Sequence, residues 1–259
     1  MTTERGAIES IAPPEESSDP EIDRPVRRLI IAIDGPAGTG KSTVARQLAR
    51  RLGLEFLDTG AMYRAAAAIA IDAHVNLNNA DEIVRRTGEA DLHFDWTTDP
   101  PTLRAHGKSI MHRLRDADVS AAVSPVSGLA ELRRLMVETQ RRIGEAHPRL
   151  VSEGRDQGSV VFHDADVKFY LHASPRVRAE RRADQLRSLG RSADVDKIER
   201  ELIERDERDS NRPIGPLACP PDAIRVDTSS MSEGEVVDQL EMIVRRHLGD
   251  DPGDGATSP

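Results

Sequence analysis

The sequence predicts an α/β domain in which five parallel strands are covered by helices, with an extra lobe inserted between the second and third strands. Three observations carry this. An Ile-rich run, Leu29–Asp34 (LIIAID), leads directly into a glycine-rich loop and then into a helical repeat. Four more runs of strand character, Leu54–Asp58, Leu150–Glu153, Val167–Ala173 and Ala223–Asp227, alternate with helical segments, and strands separated by helices pair in parallel. The stretch from Gly60 to Pro148 is far too long for one crossover, so it must hold structure of its own.

Leu29–Asp34 is apolar in succession rather than in alternation, which suits a strand buried on both faces. After the loop, Val44, Leu48 and Leu52 recur at helical spacing and Gly53 stops the pattern, so this helix packs back on the sheet. Inside the excursion, Asp91–Trp96, Pro101–His106 and Ser109–Leu114 are short and alternating, with turn residues at Asp99-Pro100-Pro101 and Gly107-Lys108. They read as a small antiparallel sheet. A helix follows from about Gly128 to Gly144, and the whole reads as an inserted substrate lobe.

Composition narrows the class. A chain of 259 residues buries an adequate core without staples, and one cysteine, Cys219, rules out a disulfide framework. No H-E-x-x-H or paired Cys/His spacing marks a protein metal site. No cationic stretch followed by an apolar one opens the chain, and no apolar run approaches a membrane span. A cytoplasmic protein with no membrane role is expected. The net charge of −9 is concentrated at the ends: residues 1–26 hold seven acids and two bases, residues 249–259 hold three acids and no base, and the body is left near −1. Both ends are rich in Pro, Gly, Ser and acid, so they are expected to be disordered tails flanking one domain over 27–248. Only four of the 36 cationic residues are lysines, Lys41, Lys108, Lys168 and Lys197. The arginine excess is read as codon bias, with no nucleic-acid partner expected.

Gly35-Pro36-Ala37-Gly38-Thr39-Gly40-Lys41-Ser42 is a complete phosphate-binding P-loop between strand and helix. Its glycines let successive N–H groups point at phosphate oxygens, and the following helix adds its positive end. Lys41 reaches the β/γ-phosphates and the Ser42 hydroxyl meets Mg²⁺. Residues 35–42, with Thr43, are expected to hold a nucleoside triphosphate. Asp34 is placed either to hold a metal-bound water or simply to end its strand. P-loops serve kinases, switch GTPases and motor ATPases alike. The guanine-reading Asn-Lys-x-Asp is absent, and Asp81-Glu82 precedes a helical segment instead of ending a strand, which weakens the switch and motor readings.

Three further motifs follow: Leu57-Asp58-Thr59-Gly60-Ala61-Met62-Tyr63-Arg64, then Glu153-Gly154-Arg155-Asp156-Gln157-Gly158-Ser159-Val160-Val161-Phe162, then Glu204-Arg205-Asp206-Glu207-Arg208-Asp209-Ser210-Asn211-Arg212. With the P-loop, in this order and spacing, they closely resemble the bacterial cytidylate kinases over about Leu29 to Leu248. The resemblance implies a P-loop nucleoside-monophosphate-kinase fold of three layers. Its core would span 27–59 and 149–248, its acceptor-binding lobe about 60–148 and its helical lid about 175–192. It also implies transfer of the γ-phosphoryl of ATP, with Mg²⁺, to CMP or dCMP by a monomeric enzyme.

On the matching positions, the resemblance implies that Thr59, Tyr63 and Arg64 engage the acceptor nucleotide, Arg64 on its phosphate. Asp156, Arg133 and Ser124 would read the base. Cytosine presents an N4 amino donor beside an N3 acceptor, which calls for a carboxylate to receive and an arginine or hydroxyl to give. Asp209 would hold the acceptor ribose, while Arg155, Arg205 and Arg212 approach the transferring or acceptor phosphates. Arg178 and Arg182, with Arg181, would be lid cations on the donor phosphates. From spacing alone, Arg205, Arg208, Asp209 and Arg212 read as a salt-bridged solvent face. Gln157 stands where the family has an apolar residue and His163 where it has proline; neither is expected to carry chemistry. Trp96, His147 and Cys219 are expected to be structural, and Arg113-Leu114-Arg115-Asp116 differs from the common family version. Two other readings stay open: a P-loop kinase for a different acceptor, and a nucleotide sensor without catalysis.

Overall fold

The computed structural model describes residues 27–249, and the expected acidic tails lie outside the described residues apart from Gly249. Leu29–Asp34 forms β1, buried along its whole length. The glycine loop turns the chain into α1 (Lys41–Leu52), ended by Gly53 in the left-handed region, whose N–H closes on the carbonyls of Ala49 and Arg50. β2 (Glu55–Asp58) follows, and Asp58 caps α2 (Thr59–Asp72) by accepting the Ala61 N–H at 2.9 Å. The lobe continues with α3 (Ala80–Glu89), then an antiparallel sheet of β3 (His93–Asp95), β4 (Thr102–Ala105) and β5 (Lys108–Ser109), then α4 (Ala117–Ser127) and α5 (Ala130–Ala146). The chain returns in β6 (Arg149–Glu153), makes a π-helical turn (Gln157–Val161), and completes the core with β7 (Val167–His172), α6 (Pro175–Ser188), α7 (Val195–Asn211), β8 (Ile224–Asp227) and α8 (Glu233–Leu248).

The five core strands are parallel, in the order β2-β6-β1-β7-β8. The connection leaving β1 runs toward β2, whereas that leaving β6 runs toward β7. A crevice therefore opens at the carboxyl ends of β1 and β6, the place where ligands collect in open α/β sheets. One sheet face packs Ile31, Ile33, Val151 and Phe169 against Val44 and Leu48 of α1 and Val237 and Leu240 of α8. Each fully buried leucine there, such as Leu48, contributes about 1.5–3 kcal/mol. The other face packs Ile30, Leu57 and Leu150 against the alanine-rich α2 and against Leu132 and Met136 of α5. Ala65 to Ala68 are fully buried, and their small side chains let α3 and α4 lie close to α2. Helices α6 and α7 share a separate small core of Ala179, Ala183 and Ile198.

The third lobe strand is shorter than the sequence suggested, ending at Ser109 instead of Leu114. Ile110 and Leu114 are buried, but the backbone between them turns, with the Arg113 N–H donating to the Ile110 carbonyl at 3.0 Å. The Arg113 side chain is drawn to Asp72, Asp116 and Asp118. Two buried anchors four positions apart, with exposed Met111 and the ion-paired Arg113 between them, imitate strand alternation.

Gly35 fixes how closely the loop approaches the sheet. Its φ is 145°, and a Cβ there would lie 2.0 Å from the Leu171 carbonyl oxygen of β7. Gly35→Ala is expected to cost about 1–3 kcal/mol, a fall of roughly 5 °C in melting temperature, together with weaker nucleotide binding. Thermal unfolding of the variant checks this, and an unchanged melting temperature would contradict it.

Candidate active site

The P-loop occupies the crevice at the end of β1. Gly38 and Gly40 adopt φ values of 82° and 88°, which glycine reaches without steric cost. Lys41 is 5% exposed, and its Nζ donates to the Pro36 carbonyl at 2.7 Å and lies 3.5 Å from Thr39 Oγ1. Burial, then the like charge of Arg155, lower its pKa to about 7. This is a cation with too little negative charge around it. Thr39 is buried with its hydroxyl on the Pro36 carbonyl, and Thr43 is half-buried one position beyond Ser42. Arg178 was expected as a lid cation facing the donor phosphates. It is instead 3% exposed and paired with Asp206 at 2.6 Å, and it donates to the Ala37 and Ala173 carbonyls. It braces the loop, because the first turn of α6 packs on Gly38 and the guanidinium is tied to the Ala37 carbonyl. Arg181 turns away to the Thr228 and Met231 carbonyls, whereas exposed Arg182 lies near enough to Arg64 to lower its pKa.

Three carboxylates line the floor. The Ser42 hydroxyl donates to Glu153 Oε1 at 2.6 Å. Glu153, 4% exposed at the end of β6, faces Asp58, whose pKa is pushed well above the usual carboxylate range by burial and by the Glu153 charge. Asp34 is held in place by two backbone donors. Its Oδ1 accepts the Gln157 N–H at 2.8 Å and its Oδ2 the Gly158 N–H at 2.7 Å, so it anchors the π-helical turn. Burial raises its pKa from 3.8 to about 7. A group raised in this way contributes stability that is fully present below about 3.8 and is lost as pH rises through about 7. The stability advantage of the wild type over Asp34→Asn is therefore expected to shrink across that window, and pH-independent melting differences would contradict it.

Across the crevice lies a cationic cluster around one acid. Asp209, 5% exposed on α7, accepts from Arg155 Nε at 3.2 Å and lies 3.5 Å from Arg212 and 4.0 Å from Arg205. The expected stripe holds only in part. Arg212 is the residue after the last turn of α7 and has an extended backbone, and Arg208 turns outward to the Glu204 carbonyl. Buried Arg205 Nε and Arg212 Nη2 have no hydrogen-bond partner among the described residues. Burial, followed by the charge of Arg155, lowers the pKa of Arg205 to about 10. Unsatisfied guanidinium donors crowded by like charges are sites that an anion relieves.

Beside this cluster Arg133 and Asp156 form a buried ion pair, 1% and 2% exposed. The Arg133 guanidinium sits 5.2 Å above the Tyr63 ring, and its Nη1 donates to the Ser127 carbonyl at 3.1 Å. Ser127 in turn donates to the Ser124 carbonyl, so half-buried Ser124 joins this group only indirectly. Burial pushes the Tyr63 phenol up to about 12, keeping it protonated and able to donate. Thr59 donates to the Glu153 carbonyl at 2.7 Å. Arg64 reaches the Leu114 carbonyl and Ser120. Burial, offset by Asp58 and reinforced by Arg182, Arg115 and Arg155, lowers its pKa.

The structure thus gathers the P-loop, Thr59, Tyr63, Arg64, Arg133, Arg155, Asp156, Arg205, Asp209 and Arg212 around one crevice. The sequence reading missed Glu153 as a partner of Ser42; its signal was an acid closing an apolar strand beside the P-loop strand. Trp96 and His147, expected to be structural, pack on each other with their rings stacked at 4.0 Å between centroids. Among the described residues no group of three or more His, Cys, Asp or Glu side chains is arranged to hold a metal alone. Ser42 with Glu153 fits a Mg²⁺ that arrives with phosphate oxygens, since Mg²⁺ commonly uses one or two protein oxygens and substrate phosphates.

Comparison with known proteins agrees with this geometry. A profile of the cytidylate kinase family matches residues 31–246. The chain is 40% identical over 218 residues to the cytidylate kinase of Mycobacterium avium (strain 104), covering 84% of this chain and 96% of that protein. It is 42% identical over 212 residues to the cytidylate kinase of Corynebacterium efficiens, covering 82% and 92%. A bifunctional pantoate ligase/cytidylate kinase of Synechococcus sp. (strain JA-2-3B'a(2-13)) is 39% identical over 244 residues, covering 93% of this chain but 44% of that longer protein. The chain belongs to the cytidylate kinase family.

Proposed function

We infer that the chain transfers the γ-phosphoryl group of ATP to CMP or dCMP, giving ADP and the corresponding diphosphate. The observation that carries this reading is the buried Arg133–Asp156 pair lying beside the Arg155, Arg205 and Arg212 cluster, directly across the crevice from the P-loop. One side suits a triphosphate, and the other suits a phosphate joined to a base with a donor and an acceptor on one edge.

In this reading the P-loop amides and Lys41 hold the donor phosphates, and Lys41 exchanges its bond to the Pro36 carbonyl for phosphate oxygens. Arg155, Arg205 and Arg212 turn from Asp209 toward the phosphates, freeing Asp209 for ribose hydroxyls. Asp156 accepts from the cytosine amino group while Arg133 and Ser124 give hydrogen bonds to the ring. Mg²⁺, held by Ser42 with Glu153 nearby, would neutralise charge on the donor phosphates. The nucleophile is an acceptor phosphate oxygen, already anionic near neutral pH, so the protein supplies alignment and charge rather than a general base. Arg178 acts by bracing the loop, and Arg182, with Arg64, contributes positive potential at the mouth. The core, acceptor lobe and lid assigned from the sequence, a monomeric working state and a cytoplasmic location belong to the same proposal, the last supported by the single cysteine.

The test is acceptor-dependent ADP release. With ATP and Mg²⁺, titration with CMP and dCMP is expected to saturate at far lower concentration than with UMP or AMP. Preference for AMP would overturn the assignment of the acceptor, and release that ignores every acceptor would favour a nucleotide-binding switch.

A further inference from the structure

Gln157 departs from the family pattern, and its surroundings show why an amide stands there. It is fully buried. Its Oε1 accepts from the Ser152 hydroxyl of β6 at 2.7 Å, and its Nε2 donates to Gln140 Oε1 of α5 at 3.2 Å. Its backbone is fixed as well, because the N–H donates to Asp34 and the carbonyl accepts from the Phe162 N–H at 2.7 Å. Thr59 and Gln157 come so close to Gly154 that a Cβ there would meet Thr59 Oγ1 at 2.6 Å and Gln157 Nε2 at 2.8 Å.

The far end of the chain of amides reaches the acceptor side. Gln140 lies near enough to Tyr63 to act on its phenol, and its Nε2 is buried with no hydrogen-bond partner among the described residues. Gln140 also shares α5 with Arg133, two turns earlier, and with Arg141, whose guanidinium donates to the Val160 and Val161 carbonyls of the π-helical turn. So the turn that immediately follows Arg155 and Asp156 is tied to three elements, to β1 through Asp34, to β6 through Ser152 and to α5 through Gln140 and Arg141. An apolar residue at 157 would fill the space but could make none of the side-chain links.

We propose that Ser152, Gln157 and Gln140 form a buried positioning relay that sets Arg155, Asp156 and Tyr63 in register for the acceptor nucleotide. The relay touches neither nucleotide; it acts by fixing the backbone that carries Asp156 and the helix face that carries Arg133. The side-chain links of this relay run to β6 and α5 and not to the P-loop, and the Gln157 N–H that reaches Asp34 beside the loop is kept in any side-chain substitution, so the relay governs affinity for the acceptor more than for the donor. The inference rests on the acceptor-site assignment above.

The experiment compares the wild type, Gln157→Met and Ser152→Ala in steady-state kinetics with CMP and ATP varied separately, and in thermal unfolding. Gln157→Met is expected to raise KM for CMP by about 3- to 10-fold, the weight of one net hydrogen bond, with KM for ATP within about twofold. Ser152→Ala should move KM for CMP in the same direction by a smaller factor. A lowered melting temperature with KM for CMP unchanged would reduce the relay to core packing and overturn the proposal, as would equal rises in both KM values. If Gln157→Met fails to fold, Ser152→Ala decides between the same outcomes. Failure of the acceptor assignment shows differently, as a wild-type enzyme that does not respond to CMP.

Discussion

Lys41→Ala is expected to lower kcat for CMP phosphorylation by about 10²- to 10³-fold, with the fold retained. The magnitude follows from what the side chain does. In the proposed reaction its ammonium would meet charge moving from the γ-phosphoryl to the β-phosphate, where bound nucleotides displace water. Retention of the fold follows from the cost of the residue as it stands. Lys41 is buried with its pKa lowered to about 7, so the empty protein gains little from keeping the charge there, and alanine removes a strained cation rather than a core contact. Kinetics with saturating ATP and CMP, alongside thermal unfolding, check both halves. Turnover near that of the wild type would remove Lys41 from the chemistry.

Asp156→Ala is expected to produce the largest combined loss. It leaves Arg133 buried and unpaired, which costs about 3–5 kcal/mol, and it removes the carboxylate proposed to receive the cytosine amino group. The two effects can be separated. Replacing both partners with apolar residues, Arg133→Met with Asp156→Leu, eliminates the stranded charge and is expected to recover much of the stability, as happens when buried ion pairs are replaced whole. Recognition should not recover with it. A double variant that folds well and still prefers CMP over UMP would show that the pair is structural.

Much of this site was legible in the sequence because its chemistry is local. A P-loop needs its glycines, lysine and serine in one unbroken stretch, and Arg155 and Asp156 sit together at the end of a strand. The parts that were not legible are those that depend on elements meeting in space. Nothing near Asp34 in the sequence reveals that its two oxygens each accept an N–H from more than a hundred residues away. The role of Arg178 depends on where α6 packs, and the pairing of Ser42 with Glu153 depends on β6 lying beside β1. Gln157 is the clearest case. As a letter in a motif it looked like a neutral exchange for an apolar residue, and only the approach of β6 and α5 supplies it with partners. The third lobe strand failed for the opposite reason, since buried Ile110 and Leu114 carry a strand-like pattern through a segment whose backbone turns.

The most direct test follows the phosphoryl group itself. With ATP labelled in its γ-phosphate and equal concentrations of CMP, UMP and AMP, the label is expected to appear chiefly in the β-phosphate of CDP. Label recovered as inorganic phosphate alone, or in ADP formed from AMP, would contradict phosphoryl transfer to the cytidine nucleotide.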